Sequence, residues 1–308
     1  MHRPRLVVRT AARACAVAVI MLTAAGAQAW QWPLSQLRIT GTFGQDAGGY
    51  LLRGVQLGGE SQPVHPVAAG VVVASHSERP GSRRPGAGPL SGLGSYVVVD
   101  HDRGFRSIYA HLEPDGHLPA IGQAVDVGMR IGTVGASGQI PMRGLRLYVI
   151  DLTSGEYVNP FLLLPDLPDR TAPRIGAVYA RSEGALYDLR VVRELPPGRY
   201  DVVAELTDRF VATAGAAGVA PYAARFVVSG RELLRVRKDR VSVHADGVRI
   251  EPGELRHADL YDADGLYRLG AITVEAQPTV IEISVRDFAG GEATWRATLT
   301  GAADEDVQ

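Results

Sequence analysis

"GSYVVVDHDRGFRSIYAHLEP", residues 94–114, decides the fold. Two runs of β-favouring residues, "SYVVV" and "FRSIYAHL", are separated by Asp100, Asp102 and Gly104, residues that favour turns. Neither run has the three-and-four spacing of an amphipathic helix. Val97, Val98 and Val99 follow one another without a polar break, which predicts a strand covered on both faces; Val71, Val72 and Val73 in "GVVVAS" predict the same. Short runs of this kind recur outward in both directions, in "RIGTVGASG" and "LRLYVIDL", divided by Gly, Pro and Asp. No run carries a sustained helical period with caps, so the expected class is antiparallel all-β.

The pattern is interrupted once. "NPFLLLPDLPDRTAP", residues 159–173, holds Pro160, Pro165, Pro168 and Pro173 and leaves no room for regular structure, as a junction between domains does. Beyond it a second series of strands, "RYDVVAELTD", "AARFVVSG", "DRVSVHA", "TVIEISVRD" and "TWRATLTG", has the turn-marked spacing of an immunoglobulin-like β-sandwich. The organisation expected is a signal peptide at 1–29, a first β domain at 30–165, a linker at 166–172, an Ig-like domain at 173–302 and an acidic tail at 303–308. "SERPGSRRPGAGPLSGLGS", residues 77–95, is a Gly-, Pro- and Arg-rich loop in which Arg79, Arg83 and Arg84 could meet an anionic partner.

The first residues lead one to expect a protein outside the cytoplasm. Arg3, Arg5, Arg9 and Arg13 precede an apolar stretch too short to span a bilayer, and Ala27-Gln28-Ala29 is a small-x-small cleavage site. An exported chain, periplasmic or extracellular, with no membrane span after cleavage is expected. Without the four leader arginines the chain keeps 28 basic against 33 acidic residues, a net charge of −5, which gives nucleic acid no electrostatic support. Cys15 is the only cysteine and lies in the leader, so disulfides and thiolate metal sites are excluded from the mature protein.

Several motifs then arrive in order: "PVHPVAAGVVVAS"; "GSYVVVDHDRGFRSIYAHLEP"; "IGQAVDVGMRIGTVGASG", matching Gly-Gln-x-Val-x-x-Gly-x-x-Ile-Gly-x-Val-Gly; and the Asn-Pro of "YVNPFLLL". On these, the stretch from Phe43 to Pro160 resembles the lysostaphin/LytM-type zinc endopeptidases, which cut peptidoglycan cross-bridges. "VRDFAGG", residues 285–291, resembles the Asp-x-Ala-Gly-Asn turn before the last strand of bacterial Ig-like modules, with Gly291 in place of the Asn.

The resemblance implies a zinc site, held by an early His-x-x-x-Asp and the second His of a late His-x-His, with two further histidines serving the metal-bound water. The early motif falls on "YLLRGVQLGG", where the His is Leu52 and the Asp is Gln56. The late one falls on "GLRLYVI", where the catalytic His is Arg146 and the ligand His is Tyr148. Only His111 of "YAHL" survives, a catalytic position read here as vestigial. Leucine has no lone pair; an amide oxygen and a neutral phenol are poor zinc ligands. Arg146 adds a permanent charge where a cation belongs, a repulsion of order several kcal/mol per charge pair at roughly 4 Å. A hydrolytic zinc needs three protein ligands and an open position. None of His65, His76, His101 and His117 falls at a paired spacing that would replace them. No metal and no other cofactor is expected. No nucleophile elbow, His-Glu-x-x-His or phosphate-binding loop offers rival chemistry.

The expected function is therefore a catalytically inactive, peptidase-like envelope protein. Leu52, Gln56, Arg146 and Tyr148 would line a groove that binds cell-wall peptide or a cell-wall hydrolase, as activator or scaffold. Two alternatives stand beside it: an active zinc endopeptidase with relocated ligands, and a structural or adhesive protein acting through the Ig-like domain.

Overall fold

The computed structural model describes residues 29–78, 92–114, 118–138, 142–169, 171–209 and 218–302. Residues 1–28 of the expected signal peptide, Arg79, Arg83 and Arg84, His117 and the acidic tail lie outside the described residues. Among those described, strands dominate and the α-helix is confined to His257–Leu260; no helix is long and apolar enough to cross a membrane.

An 11-stranded sheet forms the first half. At its centre Ser95–His101, Phe105–Leu112 and Gly144–Asp151 pair antiparallel in succession. Val97, Val98 and Val99 are buried on both faces, as their unbroken run predicts. The neighbouring triplet departs from that expectation: Val72 is 1% exposed but Val71 is 45% exposed. The difference follows from position, since Gly70–His76 sits one strand from the sheet's end, flanked outward only by the two-residue strand Ala124–Val125.

The second half is a two-sheet β-sandwich. Arg174–Ser182, Gly198–Thr207 and Tyr267–Val274 form one sheet with Ala185–Asp188, and Thr279–Arg286, Glu292–Gly301 and Ala223–Val228 belong to the other. Phe226, Ile281, Ile283, Val202 and Val274 are among the buried side chains between them. In "VRDFAGG" the Asp287 carboxylate accepts from Gly291 N at 2.7 Å and closes the turn. A Cβ at residue 291 would stand 2.3 Å from Asp287 Oδ2, so a larger residue there would require the carboxylate to shift.

The two halves are joined more closely than the proline-rich junction suggests. Arg240–His244 and Gly247–Glu251, a hairpin from the second half, continue the first half's sheet: Tyr157 pairs with Val241 and Val158 with Arg240. Arg240 Nη1 adds bonds to Asp151 Oδ2 (3.0 Å) and Glu156 Oε2 (3.1 Å). In the opposite direction, Phe43 and Leu51 leave the first core and pack in the sandwich's core. Thr42 Oγ1 donates to Ala220 O (2.9 Å) and Tyr261 OH to Gly44 O (2.9 Å) around them. Lys238, 1% exposed, gives its ammonium to Tyr261 OH (3.1 Å) and Tyr267 OH (2.6 Å).

Asn159 sits at the joint. It is fully buried, donates Nδ2 to Lys238 O (2.7 Å) and accepts from Phe161 N (3.1 Å), while its own N–H reaches Asp239 O (2.8 Å). Replacing it strands a buried carbonyl, a loss of about 1–3 kcal/mol. Asn159→Ala is expected to lower unfolding free energy by that amount in chemical denaturation while leaving a single transition; two separated transitions would show the halves to be independent.

Candidate functional groove

Strand alternation builds the groove. Along Gly144–Asp151, Leu145 and Leu147 enter the first core, and Arg146 and Tyr148 take the other face. Register places Gln56 and Ala110 on either side of Arg146, and Ile108 beside Tyr148. Val55 and Leu57 are buried in the same core as Leu147, so Gln56 between them shares Arg146's face.

Of the five sequence-selected residues, Arg146 and Tyr148 line one cavity; Leu52, Gln56 and His111, expected in the same site, are not in its lining, and Leu52 and His111 are buried. Arg146 Nη2 donates to Gln56 Oε1 at 3.2 Å. Gln56 and Leu52 both lie against Gly41, and Leu52, 3% exposed, is fixed by backbone bonds to Gly44 and Gln45. Tyr148 lies over Gly54: a Cβ there would be 3.0 Å from the ring and 2.3 Å from Leu147 O, so only glycine lets the strands close. Burial pushes the Tyr148 hydroxyl above its ordinary range, with Arg146 opposing.

His111 is fully buried near the end of Phe105–Leu112, with φ at +68°. Its Nδ1 meets Ser137 O at 2.9 Å and therefore carries the proton, leaving the Nε2 lone pair outward. Nε2 has no partner among the described residues, and neither has the buried Nε of Arg146. Burial, aided by the Arg146 charge and opposed by the Ser137 bond, lowers the imidazole to about 4.

Sequence reasoning missed the groove's outer wall. A cavity of about 390 Å³ is lined by Arg146 and Tyr148 together with Tyr50, Arg53, Ile108 and Tyr157. Arg53 Cζ stands 4.9 Å over the Tyr157 ring, and Tyr148 and Tyr157 meet edge-on at 6.0 Å. Arg53 and Tyr157 lie in the quoted "YLLRG" and "YVNP" stretches, but only the pairing of Tyr157 with Ile150 shows that they converge.

At the positions that the sequence resemblance assigns to zinc, the side chains do not fit that ion: they are a leucine, an amide engaged by a guanidinium and a buried phenol. The other histidines are engaged elsewhere. His101 bonds Ala69 O and Ser107 Oγ, His65 bonds Met129 O, and His76 stacks on Tyr96. Among the described residues, the His, Asp and Glu side chains close enough to share an ion are Asp169, Asp208 and Asp287, away from the groove at the sandwich.

Residues 51–160 match a family model described as Peptidase family M23. A second family model, without a functional description, matches residues 172–300. Murein hydrolase activator NlpD of Salmonella dublin is 29% identical over 144 residues, covering 46% of this chain and 33% of that protein. Outer membrane antigenic lipoprotein B of Haemophilus influenzae is 31% identical over 137 residues, covering 44% and 29% respectively. The match thus spans a third or less of these relatives' length. Among solved structures, the catalytic domain of lysostaphin from Staphylococcus simulans is 19% identical, with 41% of this chain and 90% of that one covered and a TM-score of 0.33.

Because its pKa is depressed in the folded state, His111 makes stability depend on acid. The unfolded chain binds more protons between about 6.5 and 4, so stability present above that window drains as pH falls through it. Between pH 7 and pH 4.5 the wild type is expected to lose about 2–3 kcal/mol more than His111→Gln in urea titrations. Equal losses would show that the imidazole is not held neutral.

Proposed function

Because residues 51–160 form a peptidase family M23 domain, and its metal positions hold Leu52, Gln56 and Tyr148, we propose that this chain is an exported, non-catalytic cell-wall factor. It binds wall peptide or a wall hydrolase through the groove and serves as activator or scaffold, in the periplasm or outside the cell. The observation that carries this reading is the Arg146–Gln56 bond. A permanent cation is seated on the side chain that replaces the metal-binding carboxylate. Zinc in that position would face a like charge, with leucine, amide and phenol at the three positions where the family places its ligands.

The names of the relatives support the same reading, since one of them is a murein hydrolase activator. Function follows from the site and not from the fold. The sheet still builds the cleft walls, but the groups that would activate water are replaced, and the one surviving imidazole is held neutral and buried.

Metal analysis of the purified mature protein, coupled to peptidoglycan digestion, tests the proposal. Far less than one equivalent of zinc is expected, with no digestion by the protein alone and a several-fold increase when a cell-wall hydrolase is added. Stoichiometric zinc with digestion abolished by a chelator would overturn it and restore the peptidase.

A further inference from the structure

We infer that the groove is an anion site: the cavity walled by Arg53, Arg146 and three tyrosines receives the free carboxylate of a short peptide where the family would seat a cation. This rests on the proposed binding role of the groove and names its ligand chemistry. Three observations carry it.

First, both guanidiniums lack a counter-ion. Arg146 is engaged by the neutral Gln56 and Tyr148, and Arg53 lies over the Tyr157 ring; neither has a carboxylate partner among the described residues. Acids in the neighbourhood are committed elsewhere: Glu78 accepts from Gly138 N (2.8 Å), and Asp151 and Glu156 hold Arg240. An arginine fork without a partner matches the two oxygens of a carboxylate.

Second, the deep end of the groove has unmet hydrogen-bonding capacity. Arg146 lines the cavity, and its Nε is buried without an acceptor among the described residues. Buried polar atoms are almost always satisfied, so an orphan guanidinium donor marks a place for an acceptor; the His111 Nε2 lone pair, itself an acceptor, takes no part in holding a carboxylate. A carboxylate accepts from Arg146 Nε, and its charge offsets the two guanidiniums that otherwise repel each other.

Third, the size selects a small ligand. About 390 Å³ is at the lower end of small-molecule sites and does not admit a helix of roughly 10 Å diameter. Tyr50, Tyr148 and Tyr157 supply flat faces on which the apolar stem of a peptide end packs, with the charge directed inward.

The test uses the mature full-length chain and two probes: N-acetyl dialanine with a free carboxyl terminus, and the same dipeptide as its carboxamide. Titration by nuclear magnetic resonance or calorimetry is expected to show the acid binding at least about tenfold more tightly than the amide, with the preference weakening as salt is raised. Arg146→Gln is expected to abolish the preference and Arg53→Gln to reduce it, while Arg146→Lys keeps part of it. Should Arg146→Gln not fold, Arg53→Gln and the acid-to-amide comparison on the wild type decide. Equal affinity of the two probes, no binding of either, or recognition of an acidic protein but not of the peptide acid would overturn the inference. Hydrolase stimulation measured on the same preparations separates the two levels. Stimulation without carboxylate preference removes only the anion site; chelator-sensitive digestion removes the reading beneath it.

Discussion

The groove depends on holding residues 42–58 against the strand Gly144–Asp151. In a metal-bearing member of the family, a cation shared between the early and late motifs would supply that tie, and metal binding energy would become folding energy. Here the tie is made in two other ways. A ladder runs from Val55–Leu147 to Gly58–Gly144. Phe43 and Leu51, on either side of the turn that leads into Leu52, are set in the sandwich's core. The apolar anchors lie in one half of the molecule and the groove they position lies in the other. Strand pairing and apolar packing between the two halves therefore define the cleft walls.

The electrostatic sign of that cleft is reversed relative to the chemistry its fold implies. A zinc site gathers anionic and neutral donors around a divalent charge. This one gathers two guanidiniums and three phenols. Arg146 is central to the reversal: it sits opposite Gln56, beside Tyr148 and close enough to His111 to help suppress protonation. On the proposed reading the side chains differ from the family pattern as a set, with a neutral amide where a carboxylate would attract a cation.

Much of this was legible in the sequence, for identifiable reasons. The strand runs around Val97 to Val99 and "FRSIYAHL" are set by local composition, so their pairing followed directly. The pairing of Gln56 with Arg146, and the place of Arg146 and Tyr148 in the cavity wall, accord with motif order, which fixes register once the fold is granted. What the sequence could not show depends on long-range pairing. Tyr157 and Arg53 reach the cavity through the register of a two-residue strand, and Val71 is exposed because its strand lies near an edge, which no local pattern records. The hairpin Arg240–His244 and Gly247–Glu251 looks in sequence like any other part of a sandwich, yet it completes the first sheet. The sandwich architecture follows the turn-marked strands, and Asp287 with Gly291 accounts for the altered turn before its last strand.

The crossing of that hairpin governs the order in which the molecule can be assembled. Tyr157–Val158 is made long before its partners Arg240 and Val241, so a growing chain carries an open strand edge and two unhoused apolar anchors until the far hairpin arrives. Unpaired edges and exposed core residues are the features through which chains associate wrongly. A fragment ending at the proline-rich stretch would keep both permanently, so cutting there does not release a self-sufficient unit. Maturation of the groove waits on the last third of the polypeptide.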